Sequence, residues 1–185
     1  MTIDIIANRS LLLPNGDTKM QDIIDKTPHQ SALRKGRVSI TGCWYSVTAC
    51  IEGKKRLLVP DPLRPLAEVR PARIIEDSIR WLHKQNRWIC KGYVVMPDHV
   101  HIVFVLKEGQ TLSGVMASFG KFTARKLNEL KRTEGQVWQN GFYDHCLRND
   151  ESYIRHLHYV CDNPIRKGWV QKAEDWPFFA IEPNW

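Results

Sequence analysis

The stretch that decides the fold is Tyr93-Val94-Val95-Met96-Pro97-Asp98-His99-Val100-His101-Ile102-Val103-Phe104-Val105-Leu106. β-Branched and aromatic residues on both sides of Pro97-Asp98 predict two short strands joined by a tight turn. In this reading the second strand starts at His99. Successive strand side chains point to opposite faces, so His99 and His101 share one face and Val100 takes the other. Two imidazoles side by side on a rigid strand are half of a metal site. Taken alone, a His-x-His triplet in an apolar strand is explained as well by chance. What weighs against chance is a second pair downstream, Tyr159 and Asn163.

Upstream of the hairpin, Val38 to Ile51 is rich in β-formers and reads as a long strand with Gly42 as a bulge. Glu52-Gly53-Lys54-Lys55 is its turn, and Pro60, Pro62 and Pro65 forbid regular structure beyond it. From Ala72 to Gln85, the spacing of Ile75, Ile79 and Leu82 predicts an amphipathic helix. Trp88 to Met96 is the strand that enters the hairpin. Downstream, Thr111 or Ser113 caps a helix that runs to about Leu130, with Lys121, Arg125, Lys126, Lys131 and Arg132 adding positive charge. Phe142 to Leu147 is a further short strand. Asn149 or Asp150 caps a last helix, which Pro164 ends. An aromatic tail (Trp169, Trp176, Phe178, Phe179) packs back on the body. Strand, helix, hairpin, helix, strand, helix is the order of an α+β layer sandwich with antiparallel pairing in the hairpin. Residues 1–34 hold no persistent period and read as an N-terminal extension, leaving 35–185 as the domain.

A chain of 185 residues, 43% of them hydrophobic and seven of them Trp, can bury a proper core. A net charge of +7 asks for an anionic partner, nucleic acid before others, although a basic surface by itself is also ordinary solvation. The five cysteines (Cys43, Cys50, Cys90, Cys146, Cys161) form no Cys-x-x-Cys pair, and no signal peptide precedes them. They read as reduced thiols of a cytoplasmic protein. No apolar run approaches the ~18 residues of a membrane span.

Placed on a helical wheel, residues 151–163 divide. Ile154, Leu157, Val160 and Cys161 form an apolar side, whereas Ser152, His156, Tyr159 and Asn163 form a polar one. Tyr159 and Asn163 lie one turn apart and point the same way. A divalent ion held by two His and one amide or carboxylate oxygen keeps positions open for phosphate oxygens. Tyr is a weak nucleophile at its free pKa of ~10, and nearby cations favour the phenolate. A Tyr on a late helix is more often a rim residue, so these residues permit the chemistry without compelling it.

His99-Val100-His101 after Met96-Pro97-Asp98 resembles the His-hydrophobic-His motif of the single-tyrosine HUH transposases. The run from Tyr159 through Asn163-Pro164 to Gly168-Trp169-Val170 resembles their catalytic-helix signature, a Tyr followed four residues on by a polar ligand. Trp138-Gln139-Asn140-Gly141-Phe142-Tyr143-Asp144-His145-Cys146-Leu147-Arg148 and Asp175-Trp176-Pro177 are similar to one branch, the REP-associated tyrosine transposases. The motifs fall in family order over roughly residues 35–180. The resemblance implies a ferredoxin-like core with the His pair on a central strand. It also implies cleavage of single-stranded DNA by Tyr159 through a 5′-phosphotyrosine link, with Mg²⁺ or Mn²⁺ held by His99, His101 and Asn163. The DNA would be palindromic repeats folded as hairpins, and the resemblance leans to a monomer over a homodimer.

Arg34, Lys35, Arg37, Lys121 and Arg125 are the candidate DNA contacts, and His145 and His156 are candidate neighbours of the site. Tyr153 is the competing nucleophile, but Leu157 stands where a ligand would be needed. Two other functions compete. One is a domesticated hairpin-binding protein without transposition activity. The other is a zinc hydrolase built on His99, His101 and either Asp98 or Asp162.

Overall fold

Five strands form one antiparallel sheet in the order β4-β1-β3-β2-β5. They are β1 (Trp44–Cys50), β2 (Trp88–Val95), β3 (His99–Leu106), β4 (Tyr143–Leu147) and β5 (Phe179–Ile181). The helices are α1 (Arg70–Lys84), α2 (Leu112–Lys131), α3 (Asp150–Cys161) and the single turn α4 (Asn163–Arg166). This computed structural model describes residues 39–147 and 150–183, with backbone alone for 150–152. The expected extension, 1–34, lies outside the described residues.

β1 and β2 both run antiparallel to β3, which lies between them, so β1 crosses over through α1 to the parallel β2, and β3 crosses over through α2 to the parallel β4. The order β4-β1-β3-β2 is the split βαβ arrangement of a ferredoxin-like fold, extended by β5 at one edge. The alternation along β3 sorts the two faces. Ile102, Phe104 and Leu106 point to the side where Trp88 packs on Phe104 at 4.5 Å between rings and Phe119 of α2 lies beyond. Helices α1 and α2 close that face over Ile75, Ile79, Leu82, Val115 and Phe119, all buried. His99 and His101 point to the other face, which α3 crosses.

Several expectations meet corrections here. The first strand begins at Trp44, because the chain turns through Gly42, whose φ of +76° suits a turn and makes no bulge. The bulge is in β2, where the register shifts between Cys90 and Gly92. Pro164 does not end the helical path. It occupies the first turn of α4, where its missing N–H costs nothing, and Arg166 N–H reaches Asp162 O at 2.9 Å. Ile154 faces solvent, 52% exposed, since α3 is turned to seat Tyr153 on Trp44 with ring centroids 4.0 Å apart. The buried stripe is therefore Leu157, Val160 and Cys161, with Tyr153 at its start. Thr111 is the cap of α2, accepting from Gly114 N–H. The aromatic tail does pack back, with Trp176 and Phe178 buried and β5 paired to β2.

Two of the cysteines are not free thiols. Cys43 and Cys146 are joined by a disulfide that ties the entry of β1 to β4. These strands meet only through long-range pairing, which no local spacing announces. Cys50, Cys90 and Cys161 stay free, and burial pushes their thiols up to about 11, 12 and 12 respectively. Among the described residues no helix is long and apolar enough to cross a membrane.

Candidate active site

The tight turn at Pro97-Asp98 lets Met96 N–H bond His99 O at 2.9 Å, and β3 leaves it with both imidazoles on the α3 face. His99 Nδ1 lies 2.6 Å from Asp98 Oδ1. A carboxylate only accepts, so the ring proton is on Nδ1 and Nε2 is left to coordinate. Burial opposes the Asp98 charge, but the hydrogen bond and charge of His99 outweigh it and hold the carboxyl below its ordinary value. His101 Nδ1 lies 2.7 Å from Thr48 Oγ1, its neighbour across β1. The two Nε2 atoms then converge at 3.1 Å.

Two imidazole nitrogens at that spacing suit one cation with bonds of about 2.1 Å, each ring held from behind. Burial first, then the charges of His99 and Arg166, drive the pKa of His101 well below its ordinary value. His101 is therefore neutral at neutral pH, the form in which an imidazole can bind a metal. The residues fit a divalent metal, and imidazole donors suit Mn²⁺ better than the all-oxygen preference of Mg²⁺.

The nucleophile candidate stands next to this pair in the same chain. The Tyr159 ring is 6.3 Å from the His101 ring, nearly perpendicular to it at 81°. Arg166 lays its guanidinium over the phenol ring, Cζ 3.8 Å from the ring centroid. Asn163 is buried, donating its amide to Tyr159 O at 3.1 Å and accepting from Arg166 Nη2 at 2.9 Å. Its oxygen is thus engaged by Arg166, and no contact carries it to the His pair. Among the described residues no group of three or more His, Cys, Asp or Glu side chains is placed to hold a metal ion.

Tyr153 is held elsewhere. Its hydroxyl donates to Glu182 at 3.2 Å, and burial together with that carboxylate pushes the phenol up, away from a nucleophile's range. His145 and His156 do come together, stacked across β4 and α3 with ring centroids 5.3 Å apart, and His156 is one turn before Tyr159. Lys121 and Arg125 lie on α2, across the sheet from the His pair, and Arg125 faces Glu129 at 3.8 Å. The structure does not bring them to the site. Arg34, Lys35 and Arg37 lie outside the described residues.

A family model described as "Transposase IS200 like" matches residues 43–163, more than half of the chain. This chain belongs to that family. The match runs from the start of β1 through Tyr159 to Asn163, so it takes in every residue of the site except Arg166. Among curated relatives, a REP-associated tyrosine transposase of Escherichia coli (strain K12) is 33% identical over 112 residues, which is 57% of this chain and 62% of that protein. A putative REP-associated tyrosine transposase of Haemophilus influenzae (strain ATCC 51907 / DSM 11121 / KW20 / Rd) is 30% identical over 129 residues, 60% of this chain and 73% of that one. Among solved structures, a REP-associated tyrosine transposase bound to a REP hairpin superposes with a TM-score of 0.60. It is 24% identical and covers 77% of this chain and 79% of its own, a likeness of fold.

Sequence reasoning missed Thr48, Arg166 and the buttressing role of Asp98. Thr48 is set by strand register, which leaves no local signal. Asp98 adjoins His99, and Arg166 follows Asn163 by three and Tyr159 by seven, a helical spacing hidden by reading Pro164 as a stop.

Proposed function

We propose that this chain is a metal-dependent single-tyrosine strand transferase that cuts and rejoins single-stranded DNA next to a palindromic repeat hairpin. The observation that carries the reading is the meeting of Tyr159 with His99 and His101 inside one chain. Tyr159 and the His pair adjoin within one chain, which favours a monomer over a homodimer. The net charge of +7 suits a phosphate backbone. The named activity of the Escherichia coli relative and the hairpin bound by the structural neighbour support the substrate class.

The chemistry follows from the side chains. His99 and His101 would hold the cation, Mg²⁺ or Mn²⁺, with Asn163 Oδ1 as third ligand through the lone pair that Arg166 leaves free. A cation there supplies charge neutralisation at the phosphate oxygens. Tyr159 Oη gives up its proton and forms a bond to phosphorus as the bond from phosphorus to the 3′-oxygen breaks. The leaving 3′-oxygen takes up a proton. The products are a 5′-phosphotyrosine on the downstream strand and a free 3′-OH upstream. Because one phosphoester replaces another, a 3′-OH can attack the phosphotyrosine and restore a DNA strand without another energy source.

The test is incubation with hairpin-bearing single-stranded DNA labelled at either end, with Mg²⁺, Mn²⁺ or EDTA, on a denaturing protein gel. Label from the 3′ portion shifting to protein mass, only with metal and only with Tyr159 present, is the expected result. Binding without any adduct over several repeat sequences would replace the reading with a domesticated hairpin-binding protein.

A further inference from the structure

Arg166 is not among the residues the proposed reaction uses, yet its guanidinium touches two of them. Its Cζ lies 3.8 Å from the centroid of the Tyr159 ring, and its Nη2 donates to Asn163 Oδ1 at 2.9 Å. A bland account exists, since a basic side chain near a helix C-terminus often satisfies a local acceptor. That account covers the contact with Asn163. It does not cover the stacking on Tyr159, for which a long, rotamer-rich side chain gives up freedom in water.

The chemistry of the two contacts differs. Stacking of a planar cation on the phenol restricts the ring from one side, while His101 stands edge-on 6.3 Å away. The Asn163 amide has a donor end and an acceptor end of nearly equal shape. Arginine has no acceptor, so only the oxygen can face it. The nitrogen is turned to the carbonyls of Tyr159 and Val160, at 3.1 and 3.4 Å. Arg166 therefore holds the amide with its oxygen towards the guanidinium that covers the Tyr159 ring, and the oxygen is the end a cation takes. The short helix α4 fixes its backbone through the bond from Arg166 N–H to Asp162 O, and Lys167 N–H bonds Asn163 O at 3.1 Å.

We propose that Arg166 is a positioning residue for strand transfer, setting the plane of the Tyr159 phenol and the direction of the Asn163 amide oxygen. This rests on the strand-transferase reading above. Its effect falls on the reacting geometry and leaves the DNA grip alone, because it acts through Tyr159 and Asn163.

The experiment compares wild type, R166Q, R166K and Tyr159→Phe with labelled hairpin DNA and Mn²⁺. The first readout is the rate of adduct formation at saturating DNA. The second is affinity for uncleaved DNA, measured in the Tyr159→Phe background. The third is Mn²⁺ binding followed by loss of the free-ion paramagnetic signal in the absence of DNA. R166Q is expected to slow adduct formation at least tenfold, to weaken Mn²⁺ binding, and to leave DNA affinity within threefold. R166K keeps the charge but not the planar stack, and stays at least fivefold slow. It carries the comparison should R166Q lower the melting temperature. Wild-type adduct rates in both variants would overturn the assignment of Arg166 while the reading of Tyr159 stands. So would a loss confined to DNA affinity, the mark of a phosphate anchor. No adduct with wild type itself would overturn the strand-transferase reading, and Arg166 with it.

Discussion

Gly92 offers the sharpest probe of how the Tyr159 helix is seated. It sits beside the β2 bulge, opposite Ile181 of β5. A Cβ built there would meet Leu157 Cδ2 at 2.6 Å and Ala180 O at 3.2 Å. Ordinary contact needs Leu157 to retreat by roughly 1 Å, and Leu157 is buried against the sheet. Overpacking of this kind costs about 1–3 kcal/mol. Replacing a strand glycine returns about 0.5–1 kcal/mol of backbone entropy. Gly92→Ala should therefore destabilise by about 1–2 kcal/mol, a melting decrease of about 2–8 °C for a chain of this size.

The loss of activity should be larger than the loss of stability. Tyr159 follows Leu157 by two residues, and a 1 Å misplacement of a reacting group costs about a hundredfold in rate. Leu157→Ala alone should cost about 2–5 kcal/mol through the cavity it leaves. In that background Gly92→Ala should cost far less, because the nearest atom it strikes is gone and only the 3.2 Å approach to Ala180 O remains. Urea unfolding of the four proteins gives the coupling, and the adduct assay gives the rate. Additive effects within about 0.5 kcal/mol, or wild-type adduct rates in Gly92→Ala, would refute the idea that Leu157 sets the height of the helix.

Tyr159→Phe should abolish the covalent adduct while DNA affinity, measured by anisotropy, stays within about threefold, since only a hydroxyl is lost. His99→Ala or His101→Ala should lower metal-dependent cleavage by at least ~100-fold, and undiminished cleavage would count against the metal pair. DNA affinity should fall with salt by about 0.7 in logarithmic slope for each phosphate contact on a single strand, and a flat response would remove the electrostatic argument. Cys43→Ser should cost about 2–5 kcal/mol in urea without reductant, because the bond closes a loop of 103 residues in the unfolded chain. With dithiothreitol present, the two proteins should unfold together.

The hairpin was legible because its signal is local. Alternation across Tyr93–Leu106 and a proline turn place His99 and His101 without any tertiary information, and the structure keeps them there. The helix of Tyr159 was legible in its existence and in most of its buried stripe, Leu157, Val160 and Cys161, but not in its first turn. Ile154 and Tyr153 compete for the same sheet face, and Trp44, more than a hundred residues upstream, decides for Tyr153. Strand β5 is three residues long and owes its existence to pairing with β2, so no periodicity could reveal it. The positive face of α2 carried a plausible charge pattern, yet α2 packs on the far side of the sheet. Charge along a helix does not say which face of a sheet that helix will cover.

The division of labour between the two faces of the sheet has an evolutionary consequence. Most of the burial that keeps the chain folded lies on the side of α1 and α2, whereas the reacting groups lie on the side crossed by α3. Selection for a folded, non-aggregating protein and selection on the proposed strand transfer therefore act on largely separate residues. A gene copy can lose Tyr159 or His99 and still yield a persistent protein, free to be kept for the DNA grip proposed above. Inactive descendants of such a chain should outnumber unfolded ones, and their inactivating substitutions should gather on the α3 face.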